Sequence, residues 1–170
     1  LGIRSTAKGR LMDYMLFFLF LAATFAAGST GALFPTGAWY KSLKKPTWVP
    51  RDWMFPVAWT SIYLLISFAG ARVAGIDGNG YAMAFWAIQI ALNALWTPVF
   101  FGLRRLKGSL PIIGALWWAV LGCTITHFQL DVWAGLAFVP YLVWVSIATA
   151  LSIAMLRLNP NEKPLDLSAI

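Results

Sequence analysis

Val132 to Leu156 reads VWAGLAFVPYLVWVSIATALSIAML, with no charged side chain between Asp131 and Arg157. A helix rises 1.5 Å per residue, and about 20 apolar residues cross a hydrocarbon core. A bilayer offers no hydrogen-bond partner to open backbone, so a run of this kind is expected to be helical. Four more runs pass the same test: Leu11 to Phe34, Trp53 to Gly75, Tyr81 to Leu103 and Ser109 to Phe128. Pro98, Pro111 and Pro140 fall in or near them, which membrane helices tolerate. The expected fold class is an all-α membrane protein, a bundle of five transmembrane helices. Residues 1–11 read as an N-terminal extension, 12–157 as the membrane domain and 158–170 as a C-terminal tail.

The rest of the composition agrees. Of 170 residues, 60% are hydrophobic and 11% charged, with a mean hydropathy of +0.72. An average soluble domain is about 45–50% apolar and about 25% charged. A soluble enzyme, a disordered tail and a disulfide scaffold are excluded. The net charge of +7 does not point to nucleic acid, because the basic residues sit in short clusters between apolar runs and form no phosphate-binding face. Arg4, Lys8, Arg10 and Arg72 lie on the N-terminal side. Lys41, Lys44, Lys45, Arg51, Arg104, Arg105, Lys107, Arg157 and Lys163 lie on the other. The positive-inside rule then places the first loop and the C-terminus in the cytoplasm, unless the protein belongs to an outer membrane. The first run follows basic residues and ends near Ala26-Ala27-Gly28, as a signal peptide would. It is about twice the 7–15 residues of a signal's apolar region, so a retained span is expected.

The first loop stands out. From Pro35 to Asp52 it is long for so compact a chain. Trp39 to Trp53 reads WYKSLKKPTWVPRDW, too aromatic and too rich in proline for disorder. A lid on the mouth of the bundle is expected. Beneath it, Trp59 lies ~9 Å deep, Trp96 ~10 Å, Ala148 ~13 Å, Asn93 ~15 Å and Trp144 ~20 Å. Tyr63 is one turn below Trp59. Gln89, Asn93 and Trp96 share one stripe of their helix, and Tyr141, Trp144 and Ala148 share another. An amide in a bilayer is costly unless it faces the bundle interior, so Gln89 and Asn93 are expected to face inward. Aromatics converging with one or two amides suit a flat, mostly apolar ligand.

Packing alone accounts for part of this pattern. Trp39, Trp48, Trp53, Trp86 and Trp133 fall near span ends, where interfacial belts place tryptophan. Trp59, Trp96, Trp117, Trp118 and Trp144 are deeper and need a core or ligand role. Asn93 also suits plain helix–helix glue. The only histidine, His127, is expected at the opposite interface, and the only cysteine, Cys123, as a small buried hydrophobe. No metal site is expected from such residues, and no paired carboxylates or Gly-rich phosphate loop are present.

The motifs WYKSLKKPTWVP from Trp39, AWTSIY from Ala58, ALNALWTPVFFG from Ala91 and VPYLVWVSIATAL from Val139 together resemble the TspO/MBR family. These are the tryptophan-rich sensory proteins related to the mitochondrial translocator protein, the peripheral benzodiazepine receptor. The resemblance covers nearly all of Met12 to Arg157 and is closest to proteobacterial members. It implies a five-helix bundle, usually a homodimer, with a pocket under the first loop. It implies binding of tetrapyrroles (protoporphyrin IX and haem), and in some members of benzodiazepine-type drugs and sterols. The porphyrin is a ligand rather than an obligatory cofactor. Carried over, the pocket positions are Trp39, Tyr40, Trp59, Asn93, Trp144 and Ala148, to which the spacing above adds Tyr63 and Trp96.

Three functions fit the resemblance. One is a binding protein acting in regulation or transport of tetrapyrroles, with Arg51 or a nearby lysine on a propionate. Another is light-dependent oxidative degradation of protoporphyrin, with Trp59 and Trp144 in the catalytic role and no acid–base machinery. A third, an alternating-access transporter, lacks the inverted repeat such proteins use. A structural assembly role would use small residues such as Ala87 and Ala91. Three positions depart from the family pattern. Arg51 stands where a second proline is common, and Ser152 where an asparagine is usual. The sterol motif of animal members lacks its tyrosine, since Leu151 to Arg157 has Ile153.

Overall fold

The computed structural model describes residues 13–166. In chain order the elements are α1 (Tyr14–Leu33), a short α2 (Ala38–Ser42), α3 (Met54–Val73), α4 (Gly80–Thr97), a π-helical turn (Pro98–Gly102), α5 (Leu106–Leu130) and α6 (Val132–Leu158). With the π turn counted into α4, five helices are long and apolar enough to cross a membrane. No strand occurs among the described residues. The observed spans lie within a few residues of those expected. The proposed extension at 1–11 and the last four residues of the tail lie outside the described residues.

The helices begin and end where local chemistry tells them to. Asp13 accepts a hydrogen bond from the Leu16 N–H and caps α1. Between α5 and α6 only Asp131 intervenes. Its Oδ1 accepts from the Ala134 N–H at 2.8 Å, capping α6. The same carboxylate takes a fork from Arg72 at the end of α3, Nε to Oδ1 at 2.9 Å and NH2 to Oδ2 at 2.5 Å. One side chain thus ties three helix ends together. The guanidinium holds its carboxyl below the usual carboxylate range. The Asp77-Gly78-Asn79-Gly80 turn places Gly78 at φ +81°, a conformation glycine adopts without a Cβ penalty. Asn79 Nδ2 then donates to the carbonyls of Val73 and Ala74 at the end of α3, the first of which also accepts the Ile76 N–H.

Packing closes the five helices into a ring. The neighbours run α1–α3–α6–α5–α4 and back to α1. Without a hydrophobic drive between helices in lipid, close backbone approach matters most. A Cβ on Gly28 would meet the Tyr63 ring at 2.5 Å, and one on Gly70 the Phe20 ring at 2.9 Å. These two glycines let α1 lie directly on α3. Phe18, Leu19 and Phe25 of α1 remain exposed, as a lipid-facing surface requires. At the ring's centre Ile66, Val120, Phe138 and Tyr141 are fully buried.

Three expectations need correction. Trp86 is no interfacial belt residue: it is buried, its N–H donates to the Ile66 carbonyl at 3.0 Å, and its ring packs against Phe20. Trp118, expected in a core or ligand role, is 67% exposed, because its neighbour Trp117 takes the inward position and bonds Ser146 on α6. His127 is fully buried rather than interfacial. Its Nδ1 lies 2.8 Å from the Cys123 carbonyl, which can only accept, so Nδ1 carries the proton. Helix α5 runs two residues past the expected end at Phe128, and the His127 ring packs on Phe138 of α6 at 4.6 Å. Cys123 is buried, as expected.

Candidate functional site

The first loop folds over one end of the ring. A five-residue helix is too short to hold itself in water, so α2 is positioned by what it buries. Tyr40 and Leu43 sink among Phe100, Leu106, Leu151 and Met155, a small second core between lid and bundle. Each such burial contributes roughly 1.5–3 kcal/mol. The Lys45 ammonium turns back over the Tyr40 ring at 4.5 Å and donates to the Tyr40 carbonyl at 2.6 Å. Burial, aided by nearby Asp52, raises the Tyr40 phenol above its ordinary pKa.

Under the lid lies a cavity of about 480 Å³, within the range of small-molecule sites. Its walls come from every element. Gly31 and Phe34 end α1, and Pro35 and Thr36 open the loop. Tyr40 and Lys41 descend from α2, and Asp52 marks the loop's end. Phe55, Pro56 and Trp59 line it from α3, and Asn93, Trp96 and Thr97 from α4. Phe101 comes from the π turn, Ile113 and Leu116 from α5, and Trp144, Val145 and Ala148 from α6. Rings dominate. Phe55 and Trp144 meet edge to face at 5.6 Å, Trp59 and Tyr141 at 6.1 Å, and Trp96 stacks on Phe100 at 4.9 Å.

Asn93 is the polar centre of the floor. Its Oδ1 accepts from the Tyr63 hydroxyl at 3.3 Å, and its Nδ2 donates to the Tyr141 hydroxyl at 2.9 Å. An amide carries two N–H donors, so one remains. The buried indole N–H of Trp96, on the same stripe, has no partner among the described residues. Nor does the buried side chain of Gln89, one turn before Asn93 on α4.

Six of the eight expected ligand residues line this cavity: Tyr40, Trp59, Asn93, Trp96, Trp144 and Ala148. The other two stand behind it. Tyr63 packs on Trp59 at 5.5 Å and holds Asn93. Trp39 packs at the core between lid and bundle, with its N–H on Glu162 and its ring 6.0 Å from Phe100. Arg51 is not at the cavity. It lines a separate outer groove with Trp48, Met54 and Ile147, and Lys41 is the lysine that reaches the cavity wall. Phe101 escaped sequence reading because the π turn shifts every residue after Pro98 round the helix. Asp52 escaped it, and the nearby lysine stayed unassigned, because a segment this short carries no periodicity to say which residue faces in.

Comparison with known proteins finds relatives along most of the chain. The model of the TspO/MBR family matches residues 19–158. The tryptophan-rich sensory protein of Cereibacter sphaeroides is 50% identical over 151 residues, covering 89% of this chain and 96% of its own. Protein CrtK of Rhodobacter capsulatus is 48% identical over 160 residues, covering 92% and 100%. The human translocator protein is 28% identical over 127 residues, covering 71% and 75%.

Proposed function

The chain belongs to the TspO/MBR family, and from that premise we propose that its cavity binds a tetrapyrrole, protoporphyrin IX or haem, in regulation or transport of such pigments. The observation that supports this most is the shape of the chemistry. A cavity of about 480 Å³ walled by Phe55, Trp59, Trp96, Phe101 and Trp144 suits a flat conjugated ring. Asn93 and Trp96 offer N–H groups inside, and Lys41 offers a cation at the wall for a propionate. The ligand is held by stacking and a few polar contacts, as in other apolar sites. Two copies pair as a homodimer in this reading, and the exposed Ala87 and Ala91 of α4 supply a small-residue face of the kind membrane helices use.

Titration of the purified protein with protoporphyrin, followed by absorption, tests the reading. A shifted Soret band at micromolar ligand that weakens at least tenfold in Asn93→Leu or Trp144→Ala is the expected result. An unshifted band in the parent protein overturns it.

A second reading is light-driven oxidative breakdown of the bound porphyrin. Trp59 favours it, because its ring is bracketed by Tyr63 at 5.5 Å and Tyr141 at 6.1 Å, a cluster of oxidisable side chains beside the cavity. The pigment would supply the photochemistry, with dioxygen as oxidant and Trp59 and Trp144 as electron donors. Illumination of the complex separates the two readings. Bleaching to a new product in the parent but not in Trp59→Phe/Trp144→Phe supports breakdown, and a stable shifted band supports a carrier or sensor.

A further inference from the structure

Residues 159–165, which follow α6, stay against the molecule. Asn159 caps α6 by donating to the Met155 carbonyl at 2.8 Å, and the same amide pairs with the lid. Its Oδ1 accepts from the Lys44 N–H at 2.9 Å and its Nδ2 donates to the Lys44 carbonyl at 2.9 Å. A side chain here copies the two-bond exchange of paired strands. Three residues on, the Glu162 carboxylate accepts the Trp39 indole N–H at 2.5 Å, a charge-assisted bond. The Arg104 guanidinium lies 5.9 Å from the same ring. The Leu165 N–H then donates to the Leu103 carbonyl at 3.0 Å, just past the π turn. Seven residues of tail therefore grip the lid at two points and the end of the π turn at a third. Trp39 and Lys44 flank Tyr40 and Lys41, which face the cavity, and Phe101 of the π turn faces it as well.

We propose that residues 159–165 are a clasp on the lid, and that Asn159 and Glu162 set how fast the cavity exchanges its contents. Neither touches the cavity, so they are positioning residues. Lid and tail belong to segments far apart in sequence, and α2 has too little helix to hold its own orientation. The apolar anchors Tyr40 and Leu43 fix where the lid sits. The clasp fixes its angle over the mouth. Releasing it leaves the bundle folded and the mouth open.

The test needs no tetrapyrrole and so stands apart from the proposed function. A cysteine is placed on the cavity wall by Ala148→Cys in the full chain, reconstituted in lipid nanodiscs. Its labelling by a charged maleimide is timed in the parent background and with Asn159→Ala/Glu162→Ala added. About a tenfold faster reaction in the clasp variant is expected, with Cys123, buried in the opposite half, unlabelled throughout. Equal rates in the two backgrounds overturn the proposal. If Cys123 does react in the double variant, the bundle has loosened, and Glu162→Ala alone decides, since Glu162 is exposed and outside every helix. Glu162→Gln retains an acceptor oxygen and is expected to return labelling to near the parent rate. Glu162→Ala no faster than the parent, or Glu162→Gln as fast as Glu162→Ala, also overturns the clasp.

Discussion

Asn93 holds two phenols that have no other described hydrogen-bond partner, Tyr63 from α3 and Tyr141 from α6. Replacing it by leucine fills a similar volume and strands both hydroxyls, at roughly 1–3 kcal/mol for each buried group left unpaired. Asn93→Leu is therefore expected to lower the midpoint of thermal unfolding in detergent by several degrees. Tyr141→Phe removes one partner and leaves one N–H unmade. It is expected to cost less, about 0.6–2 kcal/mol, typical of hydrogen bonds between membrane helices. Equal shifts in the two variants would show that the amide acts through packing alone. At this scale the sequence was readable where helical spacing governs. Gln89, Asn93 and Trp96 share a stripe because α4 is regular between them. Arg51 and Trp39 were not readable in the same way. Nothing in a loop or a single helical turn says which of two neighbouring residues faces the cavity, and Trp39 bonds a carboxylate 123 residues away instead.

Single elements carry two further expectations. Asp131 joins α3, α5 and α6, and its folded pKa lies below its unfolded value. Its contribution to stability is complete above the ordinary carboxylate pKa near about 4, and it is lost as pH falls through the lowered folded value. The thermal midpoint is expected to drop across that acid window, and Asp131→Asn to flatten the drop. Asparagine caps a helix as well as aspartate does, so Asp131→Ala is expected to cost a further ~1 kcal/mol from the lost cap. A pH profile unchanged in Asp131→Asn would assign the acid sensitivity elsewhere. The π turn is the second case. Pro98 has no N–H to give the preceding turn, and the helix widens, with the Leu103 N–H reaching back to the Pro98 carbonyl at 2.8 Å. Pro98→Ala is expected to let the α-helix continue and rotate Phe101 off the cavity wall, weakening ligand binding with little loss of stability. Sequence patterning showed that the proline sat near the span's end. It gave no sign of the widened turn, because a π turn has no composition of its own.

Across the whole molecule, five spans place the lid and the tail at one end and the Asp77 turn at the other. Cysteines introduced at Lys44 and Lys163 are expected to react with an impermeant reagent from one side of the membrane, and one at Asp77 from the other. Reaction of Lys44 and Lys163 from opposite sides would refute the four crossings between them. Span number and family were legible because apolar runs and four tryptophan-bearing motifs are properties of short segments. The closed ring and the seat of the tail were not, since they depend on contacts between residues far apart in the chain. That distance has a consequence in time. Trp39 leaves the ribosome 123 residues before Glu162. At roughly 5–20 residues per second the gap is about 6–25 s. For that interval the newborn protein has its lid and none of its fastening, and every copy passes through an open-mouthed youth before residues 159–165 arrive to shut it.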